Sequence, residues 1–420
     1  MWIVLAGTAT GFAFLAKMLE GLMVVPAIGL VYLVAAPNPL RARVLQLCGA
    51  LAAMVVASGW YVLLTILWPA STRPYLAGST DNSFMNLVLG YNGFARLLGH
   101  RPPAEAVGHQ PFADGPARLF TGEFGFEISW LLPAALLSIA LVLVARWATP
   151  RTDPVRAAVL LFGSWMIIDG GVLSSMSGLV IPYYSLSIAP AAAALTAIGT
   201  HEMWRTRATR FGRTSLAAIV LVSGVWGFWL LHRNSSWLPG LRWTLLVVSV
   251  LAAAMLLWTT HSRRWAMIAL AVGMVAMLGG SAAYTAATLG QPHQVRLVAG
   301  PKVWSNGMVS PASNQRLVAM LAATRTTWSA AVDRSQPAAE LELASRTPVM
   351  AIGGFGGKDP VPTLQGFLDE VRRHQVTYYV ATGDDHRGGP HADIRKWVVA
   401  HFTPIQLGLV TAYDLSTYHD

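Results

Sequence analysis

The sequence predicts a polytopic α-helical membrane domain of about nine spans followed by a small α/β domain, and three observations carry that expectation. Only 12% of the 420 residues are charged and 54% are hydrophobic, where ordinary soluble domains carry roughly 25% charged residues. Arginines cluster in alternate loops between nine apolar segments. From about residue 313 the pattern changes to short strands alternating with helices. The domains are accordingly drawn as 1–288, which contains a long outer loop at 69–127, and 289–420.

The apolar segments run over 2–16, 21–36, 44–68, 128–146, 156–180, 184–200, 215–232, 241–260 and 265–286. The first, as a helix rising about 1.5 Å per residue, reaches only ~22 Å, short of a hydrocarbon core of roughly 30 Å. No basic stretch precedes it, which argues against a secretory signal peptide. The expectation is a start site inside a longer gene, or a short span packed among neighbours.

Orientation follows from the arginines. Arg41 and Arg43, then Arg146, Arg151 and Arg156, then Arg205, Arg207, Arg210 and Arg213, then Arg263 and Arg264 mark every second loop. Basic loops stay cytoplasmic. The turn at Lys17–Glu20, the loop 69–127, the turns at 181–183 and 233–240 and everything after 287 are therefore expected on the outer face of a plasma membrane. From residue 291 on, 12 basic side chains face 11 acidic ones, so nearly all of the net charge of +10 lies in the apolar part. There it reports topology and does not call for nucleic acid. The single cysteine, Cys48, excludes an intrachain disulfide and a thiol-rich metal site; it is expected packed inside the membrane.

In the tail, helices are expected over 314–323, 337–344, 363–374 and 393–401, the third capped by Thr363. Strands are expected over 328–332, 348–352, 376–381 and 405–412. This alternation predicts a mostly parallel, three-layer α/β domain.

Each polar feature has a functional and a plain reading. Lys17 and Glu20, three apart, share a helical face: the lysine meets a lipid phosphate, or it snorkels and pairs with Glu20. The loop 69–127 is too long for a simple connection. Its Arg73-Pro74-Tyr75, Gly78-Ser79, Asn82, Asn86 and Gly90-Tyr91-Asn92-Gly93 suit sugar hydroxyls, or simply make turns. Glu123 and Glu127, at i and i+4, serve acid–base chemistry or favour a helix start. Asp169, deep in segment 156–180, must pair, neutralise or meet water. It lines a polar cavity or bonds a neighbouring helix. In the tail, Gly353-Gly354-Phe355-Gly356-Gly357-Lys358-Asp359 follows a strand but lacks the ending of a phosphate loop. Asp384, Asp385, His386 and His391 read as a surface loop or a metal site.

The stretch that organises the chain is Gly178 to Pro190, where a proline, two tyrosines and two serines break a long apolar region. Pro182 ends the helix, and Tyr183 and Tyr184 sit where an aromatic belt is expected.

Four ordered motifs then resemble a known family. They are residues 11–19 (GFAFLAKML), Arg73-Pro74-Tyr75 with Gly78-Ser79, Gly90-Tyr91-Asn92-Gly93, and Pro182-Tyr183-Tyr184 with Ala189-Pro190-Ala191. The chain resembles the bacterial membrane glycosyltransferases of GT-C architecture related to protein O-mannosyltransferases and aminoarabinose transferases. It is most like their actinobacterial "putative mannosyltransferase" branch, whose extracytoplasmic C-terminal domain is matched by residues 349–355 (VMAIGGF) and Pro362-Thr363-Leu364. The resemblance implies transfer of a sugar, mannose-like, from a polyprenyl-phosphate donor to an extracytoplasmic acceptor. Lys17, Tyr183 and Tyr184 match the donor-phosphate positions, and Arg73, Tyr75, Tyr91 and Asn92 match the outer-loop motifs.

The chain departs from this family in having Ile181 where relatives carry His before Pro-Tyr-Tyr, and Ser177 where many have lysine. The family's acidic catalytic motif lies in an outer loop that would precede Met1; if Met1 is the true start, Glu123 or Asp169 would be substitutes for the general base, without precedent in the family. No cofactor or metal is implied. The competing expectations are a non-catalytic membrane remnant that binds a lipid or protein partner, and a transporter.

Overall fold

The computed structural model describes residues 1–94, 115–177, 180–258, 262–289, 298–301, 310–382 and 391–418. Each predicted apolar segment contains a helix: α1 (Trp2–Lys17), α2 (Val25–Ala35), α3 (Leu40–Leu67), the short α4 (Gly122–Ile128) leading into α5 (Leu132–Ala145), α6 (Pro154–Ser175), α7 (Ala189–Arg205), α8 (Arg210–His232), α9 (Pro239–Trp258) and α10 (Arg263–Leu289). Among the described residues, six helical stretches are long and apolar enough to cross a membrane. They become seven if α4 and α5, bent by 60°, count as one broken span, and α2 is a shorter apolar helix. The chain is a polytopic membrane protein with a small α/β domain at its C-terminal end.

Helix starts follow local chemistry. Asp153 accepts from the Arg156 N–H at 2.8 Å, and Pro154 fills the first helical position of α6. Thr209 does the same for α8, accepting from the Gly212 N–H at 3.0 Å. Once formed, the helices pack through small residues. A Cβ on Gly7 would lie 2.1 Å from the Ala50 carbonyl oxygen, and one on Gly11 would lie 2.5 Å from that of Met54. The pair therefore lets α1 lie directly on the backbone of α3, as small residues four apart do in bilayers. Two apolar clusters hold the rest together: Phe124, Ile128, Leu132, Val159, Met166 and Leu195 on α4 to α7, and Ala134, Met203, Leu216, Ile219, Ala252 and Met277 on α5 and α7 to α10. Cys48 is exposed rather than packed. It lies on α3, many of whose apolar side chains, such as Leu45, Leu51, Val55 and Val56, also face outward.

The contacts divide the chain into one unit of residues 1–60 and 94–306 and another of 61–93 and 307–420. The sequence drew its line at 288 and kept the whole loop after α3 with the membrane domain.

In the second unit, a five-stranded sheet has the order β2-β1-β3-β5-β4. The strands are β1 (Trp328–Asp333), β2 (Val349–Ile352), β3 (Val376–Thr382), β4 (Pro404–Leu407) and β5 (Val410–Asp414). Leu317, Leu321, Ala338 and Leu341, from α11 (Gln315–Ala322) and α12 (Ser335–Ser345), cover one face. Phe367, Val371, Ile394 and Val398, from α13 (Leu364–Arg372) and α14 (Ala392–His401), cover the other. Alternation along β1 feeds both layers, Ala330 and Val332 to one and Ala331 to the other. Thr363 caps α13, its hydroxyl accepting from the Gly366 N–H at 3.1 Å.

The expected single last strand is instead the hairpin β4–β5, reversed by the two-residue turn Gly408-Leu409. Its strands pair antiparallel, and β5 pairs antiparallel with β3. The sheet is therefore mixed rather than mostly parallel, because a two-residue reversal inside one apolar run reads as continuous strand.

Candidate functional site

Two breaks in the helices of the first unit meet. Helix α1 ends at Lys17 because Met18 adopts φ 50, and the chain continues as a 3-10 turn over Met18–Leu22. The turn brings Glu20 back to Lys17, with Nζ to Oε1 at 3.1 Å. The second break follows α6. Ile181 is extended, Pro182 opens a 3-10 turn over Pro182–Ile188, and α7 begins at Ala189. Within that turn Tyr183 and Tyr184 pack edge to face, ring centroids 4.9 Å apart. The Ser185 hydroxyl donates to the Pro182 carbonyl at 2.7 Å.

The lysine from the first break points at the aromatics of the second. Lys17 Nζ lies 5.2 Å from the Tyr183 ring centroid and 4.7 Å from that of Tyr184, inside the range at which a ring face attracts a cation. The lysine side chain is 49% exposed and Glu20 29% exposed, so the ammonium is reachable while its neighbours are fixed. The pair with Glu20 is the plain reading of that spacing, and the same ammonium also meets the two tyrosine rings.

Asp169 is fully buried in α6. Its Oδ2 accepts from the indole N–H of Trp165, one turn earlier, at 2.9 Å, and its Oδ1 has no hydrogen-bond partner. The Ser187 hydroxyl, on the tyrosine-bearing turn, is buried beside it. An unsatisfied buried carboxylate oxygen costs free energy unless a ligand, a water or a proton meets it. Asp169 therefore bonds its own helix through Trp165, and its other polar neighbour is Ser187 on the tyrosine-bearing turn.

The outer-loop residues lie in the second unit. The Arg73 guanidinium donates to the carbonyls of Thr65, Trp68 and Asn82. It satisfies the last carbonyls of α3, which no helical N–H reaches. The Tyr75 hydroxyl donates to the Ser79 carbonyl. Both polar groups bind the loop to itself. Asn92 and the backbone of Tyr91 lie in the helical turn Asn86–Phe94, and the Tyr91 side chain lies outside the described residues.

Glu123 occupies the first turn of α4, where an acid favours the helix dipole. Glu127 accepts from the Ala299 N–H at 2.6 Å. In the tail loop, Asp384, Asp385 and His386 lie outside the described residues. His391 Nε2 lies 2.6 Å from the Asp359 carbonyl and donates to it. Among the described residues no group of three or more His, Cys, Asp or Glu side chains could hold a metal ion.

Three features escape sequence reasoning. Arg118, 1% exposed, donates to the carbonyls of Leu173 at 2.6 Å and Met176 at 2.7 Å, closing the end of α6 just before the tyrosine turn. Nothing around a lone arginine in residues 116–120 (PARLF) announces this. Ser187 was one of several hydroxyls in a loop. Arginines 146 and 205, read for topology, also join an ion cluster: Arg146 bonds Glu202 through Nε at 3.0 Å and lies 3.4 Å from Asp153, while Arg205 lies 3.5 Å from Glu202. The hydrogen bond from Glu202 holds the Arg146 guanidinium above its ordinary value.

With this geometry in view, the chain can be set beside known proteins. Residues 317–401 match the family model described as "Putative mannosyltransferase YkcB-like, C-terminal". Over 95% of its length the chain is 26% identical to "Putative mannosyltransferase YkcB" of Bacillus subtilis (strain 168), 69% of which is covered. It is 24% identical to "Putative mannosyltransferase YycA" of the same organism, again over 95% of this chain and covering 71% of that protein. No solved structure matches the chain. The chain is thus similar over nearly all its length to two proteins bearing the name "Putative mannosyltransferase", and residues 317–401 match the model of the YkcB-like C-terminal domain.

Proposed function

We propose that the chain is a membrane glycosyltransferase that moves a mannose-like sugar from a polyprenyl-phosphate donor to an acceptor on the outer face of the plasma membrane. The observation that carries the proposal is the reachable Lys17 ammonium set against Tyr183 and Tyr184 where two helix breaks meet. Homology to proteins named as mannosyltransferases supports the transferase class.

In the proposed reaction an acceptor hydroxyl oxygen bonds the anomeric carbon as the bond from that carbon to the phosphate oxygen breaks. The hydroxyl proton passes to a carboxylate, and polyprenyl phosphate leaves with the bonding electron pair. Lys17 stabilises the leaving phosphate, as fixed cations do where negative charge develops, and the tyrosines wall the lipid-phosphate end. Asp169, buried beside the tyrosine-bearing turn, is one candidate for that carboxylate. Glu123 remains the other acid in the proposal.

The test is transfer from labelled polyprenyl-phosphate mannose by the full chain in nanodiscs. Lys17→Ala is expected to insert normally and to lose about 30-fold or more in transfer, the worth of ~2 kcal/mol of charge stabilisation. Unchanged transfer in that variant removes Lys17 from the site. Donor binding without any turnover in the wild-type chain selects the non-catalytic alternative.

A further inference from the structure

We infer that the small α/β domain clamps the loop after α3 through Asp359, at the end of its sheet where open α/β folds receive ligands.

Open α/β sheets bind ligands outside the carboxyl ends of parallel strands, where successive connections leave to opposite sides. That place is the end of β1, flanked by β2 and β3. The glycine-rich segment 353–359 leaves β2 at this end. It is fastened to the exit of β1, the Arg334 N–H donating to the Ile352 carbonyl at 2.8 Å and the Ser335 N–H to the Gly354 carbonyl at 2.9 Å.

In a phosphate-binding loop the amides would point outward at an anion. Here two of them turn inward: the Gly353 N–H donates to Val361 at 2.9 Å and the Asp359 N–H to Gly353 at 3.1 Å. What the loop turns toward Gly78 is an acid. Asp359 is 9% exposed, and its Oδ2 accepts from the Gly78 N–H at 2.9 Å. His391, at the start of α14, holds the Asp359 carbonyl from the other side. Gly354, with φ 64, leaves room for the carboxylate, since a Cβ there would lie 2.2 Å from Oδ2. On the loop side Ser79 is 1% exposed, and residues 61–93 form one compact unit with 307–420. The clamped segment is the one that carries Arg73, Tyr75 and Asn92, so its bearing on sugar transfer rests on the proposed function, whereas the clamp itself does not.

Amide hydrogen exchange on the full chain in nanodiscs tests the clamp without requiring turnover. In Asp359→Ala, exchange at Gly78 is expected to accelerate about tenfold or more, the loss of one hydrogen bond to a charged group. The amides of β3 should keep their protection. Gly354→Ala, which leaves the acid in place but crowds it, is expected to act in the same direction. Gly78 exchanging at the wild-type rate in Asp359→Ala overturns the clamp, as does an equal loss of protection through β3. Absence of glycosyl transfer in the same preparation counts against the enzyme reading alone.

Discussion

Replacing Glu202 with glutamine isolates the charge that holds the Arg146 end of the membrane helices together. The carboxylate is 5% exposed, and Arg146, its main partner, is 22% exposed. Removing one partner of a buried ion pair costs about 3–5 kcal/mol, because the other charge stays buried and unpaired. Two features of the site lower that figure. Asp153 remains 3.4 Å from Arg146, and glutamine keeps one acceptor oxygen. Arg205, 60% exposed, adds little, since a solvent-facing pair contributes roughly 0–1 kcal/mol. The expected loss is about 2–3 kcal/mol, which is roughly 30–150-fold in the unfolding equilibrium. Denaturant titration of the purified chain in detergent micelles, followed by tryptophan fluorescence, measures it. Arg146→Met combined with Glu202→Gln should recover a large part of the loss, because the stranded cation is then gone as well. A Glu202→Gln variant within about 0.5 kcal/mol of wild type would refute the reasoning, since the pair would then add nothing.

Gly7→Val should lift α1 off the backbone of α3, given the 2.1 Å between a Cβ there and the Ala50 oxygen. The expected cost is about 1–3 kcal/mol in thermal denaturation of the detergent-solubilised chain, while the neighbouring Thr8→Val, which faces outward, should be close to neutral. Tyr378 on β3 gives a pH signature. Burial first, and then the nearby Asp414 carboxylate, push its hydroxyl above its ordinary value. The fold therefore favours the protonated phenol. Its contribution is fully present below about pH 10, and it is lost as pH rises from there through the raised folded value, because the unfolded chain ionises first. Tyr378→Phe should flatten that alkaline decline in a pH series of denaturation midpoints.

Much of the fold was legible because apolar length is a one-dimensional signal. Trp2–Lys17, Pro154–Ser175 and Arg210–His232 are continuous apolar runs bounded by capping or breaking residues, and each became a helix. Thr363 was read as a cap because its hydroxyl reaches an N–H three residues away, a purely local bond. The hairpin β4–β5 was missed because its turn is only two residues long and lies inside one apolar stretch. At the site, Lys17 and the two tyrosines were found through motif resemblance, but their mutual contact joins positions about 165 residues apart, which no periodicity encodes. At Arg73 the residue type suits both sugar recognition and turn-making, and only the structure shows its guanidinium on the carbonyls at the open end of α3. Asp359 was visible only as the last letter of an imperfect phosphate motif; its partner, Gly78, comes from another part of the chain.

The carboxylate that already sits on Lys17 makes the proposed phosphate site an exchanger. An incoming anion displaces a tethered competitor held at high effective concentration, not merely bulk water. Singly charged lipids would win little from that trade, whereas a phosphate monoester product or a headgroup bearing additional oxygens can replace one Coulombic contact with several. Under the proposed function, Glu20 would then serve as a built-in threshold that keeps singly charged phospholipids from occupying Lys17.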